Sequence, residues 1–304
     1  MSGVDKGLAG LIVAVIAIFG VGQASASTAS FQKVQGKPTL VLQAKRGETN
    51  AIFLKAEGKK IELRETGDLP NFRDIEMDWA AGSLPGCEFS QEFDDPAYGM
   101  VTCEAGKVRQ VLLLLGDWDD YLQTGEAFST KGKPSIPIFV RGGKGDDQLN
   151  GGLGNDFLFG DGGNDIIAGY KGNDKVSGGA GADSLAGEES YTSDTPPARG
   201  GNDLLIGGPG NDNLDPGSGR DMVRAGAGRD IVGSVIDRDR DVVDCGSGPN
   251  DSLLGVNNRG YRIAEKGIVN CETVSNGMFG GWVWKCRRNK CLANATPFAV
   301  REEP

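Results

Sequence analysis

The chain of 304 residues sets 32 Lys and Arg against 42 Asp and Glu, a formal charge of −10, and holds 49 glycines and no histidine. Without histidine it cannot build His-Glu-x-x-His zinc centres, Ser-His-Asp or Cys-His nucleophile systems, or His-ligated haem. The acidic balance argues against a nucleic-acid partner, which needs a basic stripe to neutralise phosphate.

Residues 8–19 (LAGLIVAVIAIF) form an apolar run of twelve. A helix needs about 17–25 such residues to cross a bilayer, so no membrane span is expected here. A short apolar core followed by a small-x-small site is the secretory pattern. Ala24-Ser25-Ala26 supplies that site. The expectation is a signal peptide over 1–26, cleaved after Ala26, and a secreted chain.

Residues 27–141 alternate apolar stretches (TLVLQA, NAIFLKA, KIELRE and VRQVLLLLG) with turn residues, which predicts short strands and a small β-rich N-terminal domain. Within it LGDWDDYL (115–122) reads as half of the repeat that follows. The stretch 131–141 (KGKPSIPIFVR) holds two prolines and suits a linker or edge strand. The carboxylate pairs Asp94 and Asp95, and Asp119 and Asp120, are the residue type of glycoside chemistry. Nothing in the sequence fixes their separation or sets a nucleophile beside a base. With no G-x-S-x-G elbow either, a catalytic role is not expected.

From Gly142 the chain repeats every nine residues: GGKGDDQLN (142–150), GGLGNDFLF (151–159), GDGGNDIIA (160–168), GYKGNDKVS (169–177) and GGAGADSLA (178–186). An insertion over 187–197 intervenes. The period resumes as ARGGNDLLI (198–206), GGPGNDNLD (207–215), PGSGRDMVR (216–224) and AGAGRDIVG (225–233), with a degenerate tenth unit, IDRDRDVVD, at 236–244. Position four is always glycine. Position six is always aspartate: Asp147, Asp156, Asp165, Asp174, Asp183, Asp203, Asp212, Asp221 and Asp230. Position eight is always Leu, Ile or Val.

One apolar residue in nine is too few for an amphipathic helix, which wants three or four per two turns. It suits a very short strand whose single inward side chain stacks on its equivalent one coil later, with glycines supplying positive-φ turns. The pattern therefore predicts a coil of turn, strand, turn and strand, two units per circuit, with coils about 4.8 Å apart. Stacking brings the aspartates of successive turns together. Two such charges about 5 Å apart repel by about 3 kcal/mol even at an effective dielectric near 20. A divalent cation reverses that sign. Calcium accepts six to eight oxygens in forgiving geometry, carboxylate and backbone carbonyl alike, whereas magnesium demands a stricter octahedron.

The unit resembles the nonapeptide G-G-x-G-x-D-x-U-x of RTX (haemolysin-type) calcium-binding proteins, a parallel β-helix repeat. The resemblance covers roughly 142–244. It implies several calcium ions held between coils by turn carbonyls and the nine position-six aspartates. Departures from the pattern qualify it. Position two is Asp161 in the third copy and Tyr170 in the fourth; both opening glycines of the sixth are read as Ala198 and Arg199. Position one is Pro216 in the eighth copy and Ala225 in the ninth, and Arg220, Arg229 and Arg240 precede the late aspartates. A cation beside a site weakens calcium, so tighter binding is expected over 142–186 than over 216–244. The alternative for the late units is a metal-free coil in which arginine pairs with aspartate.

Six cysteines in an exported chain favour disulfides. Of fifteen possible pairings, proximity favours Cys87–Cys103, Cys245–Cys271 and Cys286–Cys291; the spacings do not match a zinc site. Residues 245–304 are read as a disulfide-closed cap, because a solenoid end exposes unpaired strand edge. Trp282 and Trp284 either complete that cap or stack on a sugar. The fold class expected is thus all-β, a parallel β-roll (142–244) between a β-rich N-terminal domain and a C-terminal cap. The expected function is secreted calcium binding in a structural or surface-interaction role. The alternatives are an extracellular polysaccharide-acting enzyme, since RTX arrays accompany enzymes, or an adhesin or inhibitor that grips a protein through 27–141.

Overall fold

The computed structural model describes residues 27–44, 47, 49–57, 59–66, 78–79, 86–91, 98–124, 136–188, 200–233, 241–254, 268–275, 283–287 and 290–291. The expected signal peptide, Asp94, Asp95, Trp282 and most of the insertion lie outside them, as does the side chain of Trp284. Every regular element among the described residues is a strand.

The strands form two ladders that face each other. The first runs in parallel through Ile138–Lys144, Phe157–Gly162, Lys175–Ala180, Leu204–Pro209, Met222–Ala227 and Val242–Asp244. The second runs through Gln148–Asn150, Ile166–Ala168, Ser184–Ala186, Asn213–Asp215, Ile231–Val232 and Ser252–Leu253. Successive nonapeptides alternate between the ladders, so one circuit takes two units. This is the predicted coil.

Position eight builds the core. In the first ladder Val140, Leu158, Val176, Leu205, Val223 and Val243 are successive register partners. In the second, Leu122, Leu149, Ile167, Leu185, Leu214, Val232 and Leu253 are. All are buried, none more than 2% exposed. Each such side chain contributes about 1.5–3 kcal/mol by leaving water, and stacking makes the two rows one continuous cluster.

The N-terminal strands extend the same ladders. Gln110–Asp117 pairs in parallel with Ile138–Lys144, and Lys37–Gln43 pairs in parallel with Gln110–Asp117. Tyr121–Thr124 and Ala51–Glu57 do the same in the second ladder. Antiparallel pairs follow at this end: Thr28–Val34 on Lys37–Gln43 in one ladder, and Lys60–Thr66, Tyr98–Glu104 and Cys87–Gln91 in turn beyond Ala51–Glu57 in the other. Ile138–Lys144 runs across residue 142, and one hydrophobic cluster reaches from Ala29 to Cys271.

At the other end Ile268–Val269 and Thr273–Ser275 add one further layer, and Val283–Arg287 folds back antiparallel on the latter. Among the described residues there are two disulfides, Cys87–Cys103 and Cys245–Cys271. Cys286 and Cys291 are backbone register partners of an antiparallel pair.

Candidate calcium-binding turns

Each turn packs backbone on backbone at position four, where Gly163 adopts a φ of +141° and a Cβ would lie 1.8 Å from the Gly145 carbonyl oxygen of the coil before. Only glycine fits both the conformation and the gap. This close approach puts the next two residues of each turn directly over their equivalents in the preceding coil.

At position five the contact is a side-chain ladder. Asn155 Oδ1 accepts the N–H of Asn173, Asn173 Oδ1 that of Asn202, and Asn202 Oδ1 that of Arg220. Arginine at 220 or 229 receives such a bond but offers no acceptor for the coil after it. Among the described residues neither Arg220 nor Arg229 forms an ion pair with a position-six aspartate, so the arginine–aspartate pairing considered for the late units is not seen at these two; Arg240 lies outside the described residues.

Position six bonds the opposite way. Along one edge Asp165 Oδ1 accepts the N–H of Asp147, Asp183 that of Asp165, Asp212 that of Asp183, and Asp230 that of Asp212, all at 2.8–3.0 Å. Along the other, Asp174 accepts from Asp156, Asp203 from Asp174, and Asp221 from Asp203. The nine predicted aspartates thus form two rows, each carboxylate buried and tied to the coil before it through one oxygen.

The second oxygen is different. In eight of the nine, Oδ2 is buried with no hydrogen-bond partner; the exception is Asp156, whose Oδ2 accepts the N–H of Gly152 at 2.6 Å. Each orphan oxygen of the early units faces the bare side of the glycine at position one. A Cβ on Gly160 would lie 1.9 Å from Asp165 Oδ2 and 2.7 Å from the Gly178 carbonyl oxygen of the next coil; on Gly207 it would lie 2.4 Å from Asp212 Oδ2 and 2.3 Å from Ala225 O. A carboxylate oxygen and a carbonyl oxygen therefore converge where a side chain is missing. In the eighth and ninth units Pro216 and Ala225 put a Cβ at that position.

Burial, not a neighbouring charge, dominates the electrostatics. It lifts Asp174 to about 9, Asp147 and Asp221 to about 8, Asp203 to about 7, and Asp156, Asp165 and Asp212 to about 6. Neighbouring carboxylates of the same row add to most of these shifts, and the backbone N–H donors oppose them. Asp183 and Asp230 are raised for the same first reason. The donor set suits a hard cation: buried carboxylate oxygens lacking a donor beside inward carbonyls. Among the described residues no three carboxylates or thiolates gather in one cluster, so a cation here would complete its shell with turn carbonyls.

The rows are longer than the nine. Asp120 Oδ1 accepts the N–H and amide of Asn50, and the Asp120 N–H goes to Asp147. At the other end Asp241 accepts from Asp221, and Asp251 from Asp230. The sequence signal for these is Asp-x-aliphatic, at 120–122, 241–243 and 251–253. For the last it is masked by one residue more between Gly248 and Asp251 than between Gly228 and Asp230.

One assignment needs correction. The sixth unit does not lose its opening glycine to Ala198; Gly187 holds that position. Its bare face meets Asp203 Oδ2 at 2.5 Å, and its N–H goes to Asp215 O at 2.9 Å, as that of Gly169 goes to Ala186 O at 3.0 Å. The extra residues therefore enter inside the unit, after position two.

Compared with known proteins, the chain matches the model of the RTX calcium-binding nonapeptide repeat (four copies) over residues 139–167, 159–189 and 198–232. No curated protein matches it. The register of glycine, aspartate and aliphatic residue seen in the coil is the register of that repeat, and residues 139–232 are an array of RTX calcium-binding nonapeptide repeats.

Proposed function

We propose that this is an exported calcium-binding protein whose β-roll closes when several calcium ions enter the turns through the nine position-six aspartates, in a structural or surface-interaction role. The observation that carries the reading is the row of buried Oδ2 atoms without a partner. A proton neutralises one carboxylate at a time and is lost as pH rises, whereas a cation takes the orphan oxygen and the carbonyl oxygen converging on it together. Without the ion, acidic, glycine-rich repeats of low hydrophobicity stay expanded. Affinities of extracellular calcium modules lie near 10⁻⁴–10⁻³ M. Binding only to the closed form adds about 2.7 kcal/mol per site at a hundredfold excess over Kd.

Export is supported by the secretory pattern of residues 1–26 and by two disulfides, which persist in oxidising compartments. A non-enzymatic role is supported by what Asp119 and Asp120 do. Asp119 Oδ1 accepts the N–H of Asp146 and Asp120 Oδ1 that of Asn50, so both serve the ladders. Far-ultraviolet circular dichroism of the full chain tests the coupling. Strand signal should appear on going from excess chelator to millimolar calcium; an unchanged spectrum contradicts the proposal.

A further inference from the structure

The strand Lys60–Thr66 turns Ile61, Leu63 and Glu65 to one side, and all three are buried, the glutamate only 1% exposed. Its register partner on the neighbouring strand is Ile52, a core residue. A carboxylate thus stands where the alternation of the strand reserves room for an apolar side chain. One of its partners comes from the opposite ladder. Ser27, also 1% exposed, donates its Oγ–H to Glu65 Oε1 at 2.6 Å. Ser27 immediately precedes Thr28–Val34 and shares the parity of the buried Ala29, so this bond crosses the core between the two ladders at the N-terminal end of the coil.

Ser27 is also the residue that the secretory pattern makes the first of the mature chain, because the cut falls after Ala26. Before the cut its nitrogen is an uncharged amide. Hydrolysis breaks the Ala26–Ser27 C–N bond, sends the hydroxyl of water to the Ala26 carbonyl carbon and returns a proton to the Ser27 nitrogen. The product is an α-amine, with an ordinary pKa of about 7.7–8.0 and hence protonated at neutral pH. That nitrogen is three bonds from its own Oγ, so it lies within about 6 Å of Glu65 Oε1. A positive charge at such a range favours an ionised carboxylate, and a buried carboxylate is otherwise costly.

We propose that removal of residues 1–26 gives Ser27 an α-ammonium that pairs with the buried Glu65, so that maturation itself latches the two ladders together at the N-terminal end of the coil. The inference rests on the export reading and on a cut after Ala26. The serine hydroxyl already holds the carboxylate oxygen in place, and the cut adds the charge. A precursor, or a chain cut elsewhere, keeps the hydroxyl bond and lacks the ion pair.

Thermal melting at saturating calcium tests this, comparing the exported chain that begins at Ser27 with a chain that begins at Ala24. The longer chain should melt about 5 °C or more below the shorter one. Glu65→Gln should lower the midpoint of the Ser27 chain but leave that of the Ala24 chain level or raise it, a non-additive pair of changes. Ser27→Ala keeps the ammonium and should preserve the difference between the two chain lengths. Equal midpoints of the two wild-type chains, an equal effect of Glu65→Gln in both, or loss of the length effect in Ser27→Ala overturns the proposal while leaving export intact. If Glu65→Gln does not fold, the two wild-type chains decide alone. Mass spectrometry of the exported protein should give Ser27 as its first residue; any other start, or no export, overturns the cut and the latch together.

Discussion

Two glycines three residues apart separate the two jobs a missing side chain performs in this coil. Gly163 lies against backbone, with a carbonyl oxygen 1.8 Å from its Cβ position, whereas Gly160 lies against Asp165 Oδ2 at 1.9 Å. Gly163→Ala should therefore lower the melting midpoint of the coil at saturating calcium, because neither the backbone nor a φ of +141° can give way. Gly160→Ala should act mainly on calcium, lowering the number of ions bound with a smaller shift of that midpoint. Calorimetry and melting of the two variants check this; indistinguishable profiles would show that the position-one gap has no part in binding.

The aspartates add a pH dependence at the same scale. Their folded pKa values are raised by burial from the ordinary 3.8, to about 6 for Asp165 and about 9 for Asp174. A raised carboxylate binds its proton more tightly folded than unfolded. The stability it contributes is therefore complete below about 4 and lost as pH rises through about 6 to 9. In chelator the melting midpoint should fall over that window. In calcium it should rise, because protons and the cation compete for the same oxygens. Parallel curves in the two buffers would count against ion-paired rows.

At the scale of the element, one nonapeptide differs from another in what flanks its aspartate. The first four units pair a bare position one with an Asn or Asp at position five, while the ninth has Ala225 and Arg229 there. Asp165→Ala should accordingly cost more calcium stoichiometry than Asp230→Ala, and equal losses would refute the ranking. Much of this was legible in the sequence because the period is strict: fixed Gly, Asp and aliphatic positions dictate turn, ladder and core. The start of the sixth unit is hidden in the sequence for a physical reason. Its break lies within the turn, so counting back nine from Leu205-Ile206 lands on Ala198, while the geometry continues from Gly187. Glu188, whose carboxylate accepts the N–H groups of Gly201 and Ser218 beside that break, carries no signal in the period.

At the scale of the molecule, the same two ladders continue into the N-terminal strands, where Asn50 and Asp120 stand in line with Asp147. That continuity was only half visible. Leu115–Leu122 keeps the Asp-x-aliphatic spacing, but Asn50 lies 70 residues from its ladder partner and no period joins them. Both outer faces carry apolar residues among polar ones: Phe139 and Phe157, stacked at 4.7 Å, with Met222 and Val242 half-exposed on the first ladder, and Ile166 and Ile231 exposed among Gln148, Ser184 and Asn213 on the second.

The central claim is that the aspartate rows hold the coil together only with a cation between the turns. Hydrogen exchange of the position-six amides reads it directly, because each donates to the aspartate one coil on, as Asp147 does to Asp165. In millimolar calcium, amides from Asp147 to Asp212 should be strongly protected, and in chelator they should exchange at the rate of an open chain. Equal protection in both conditions would contradict the account.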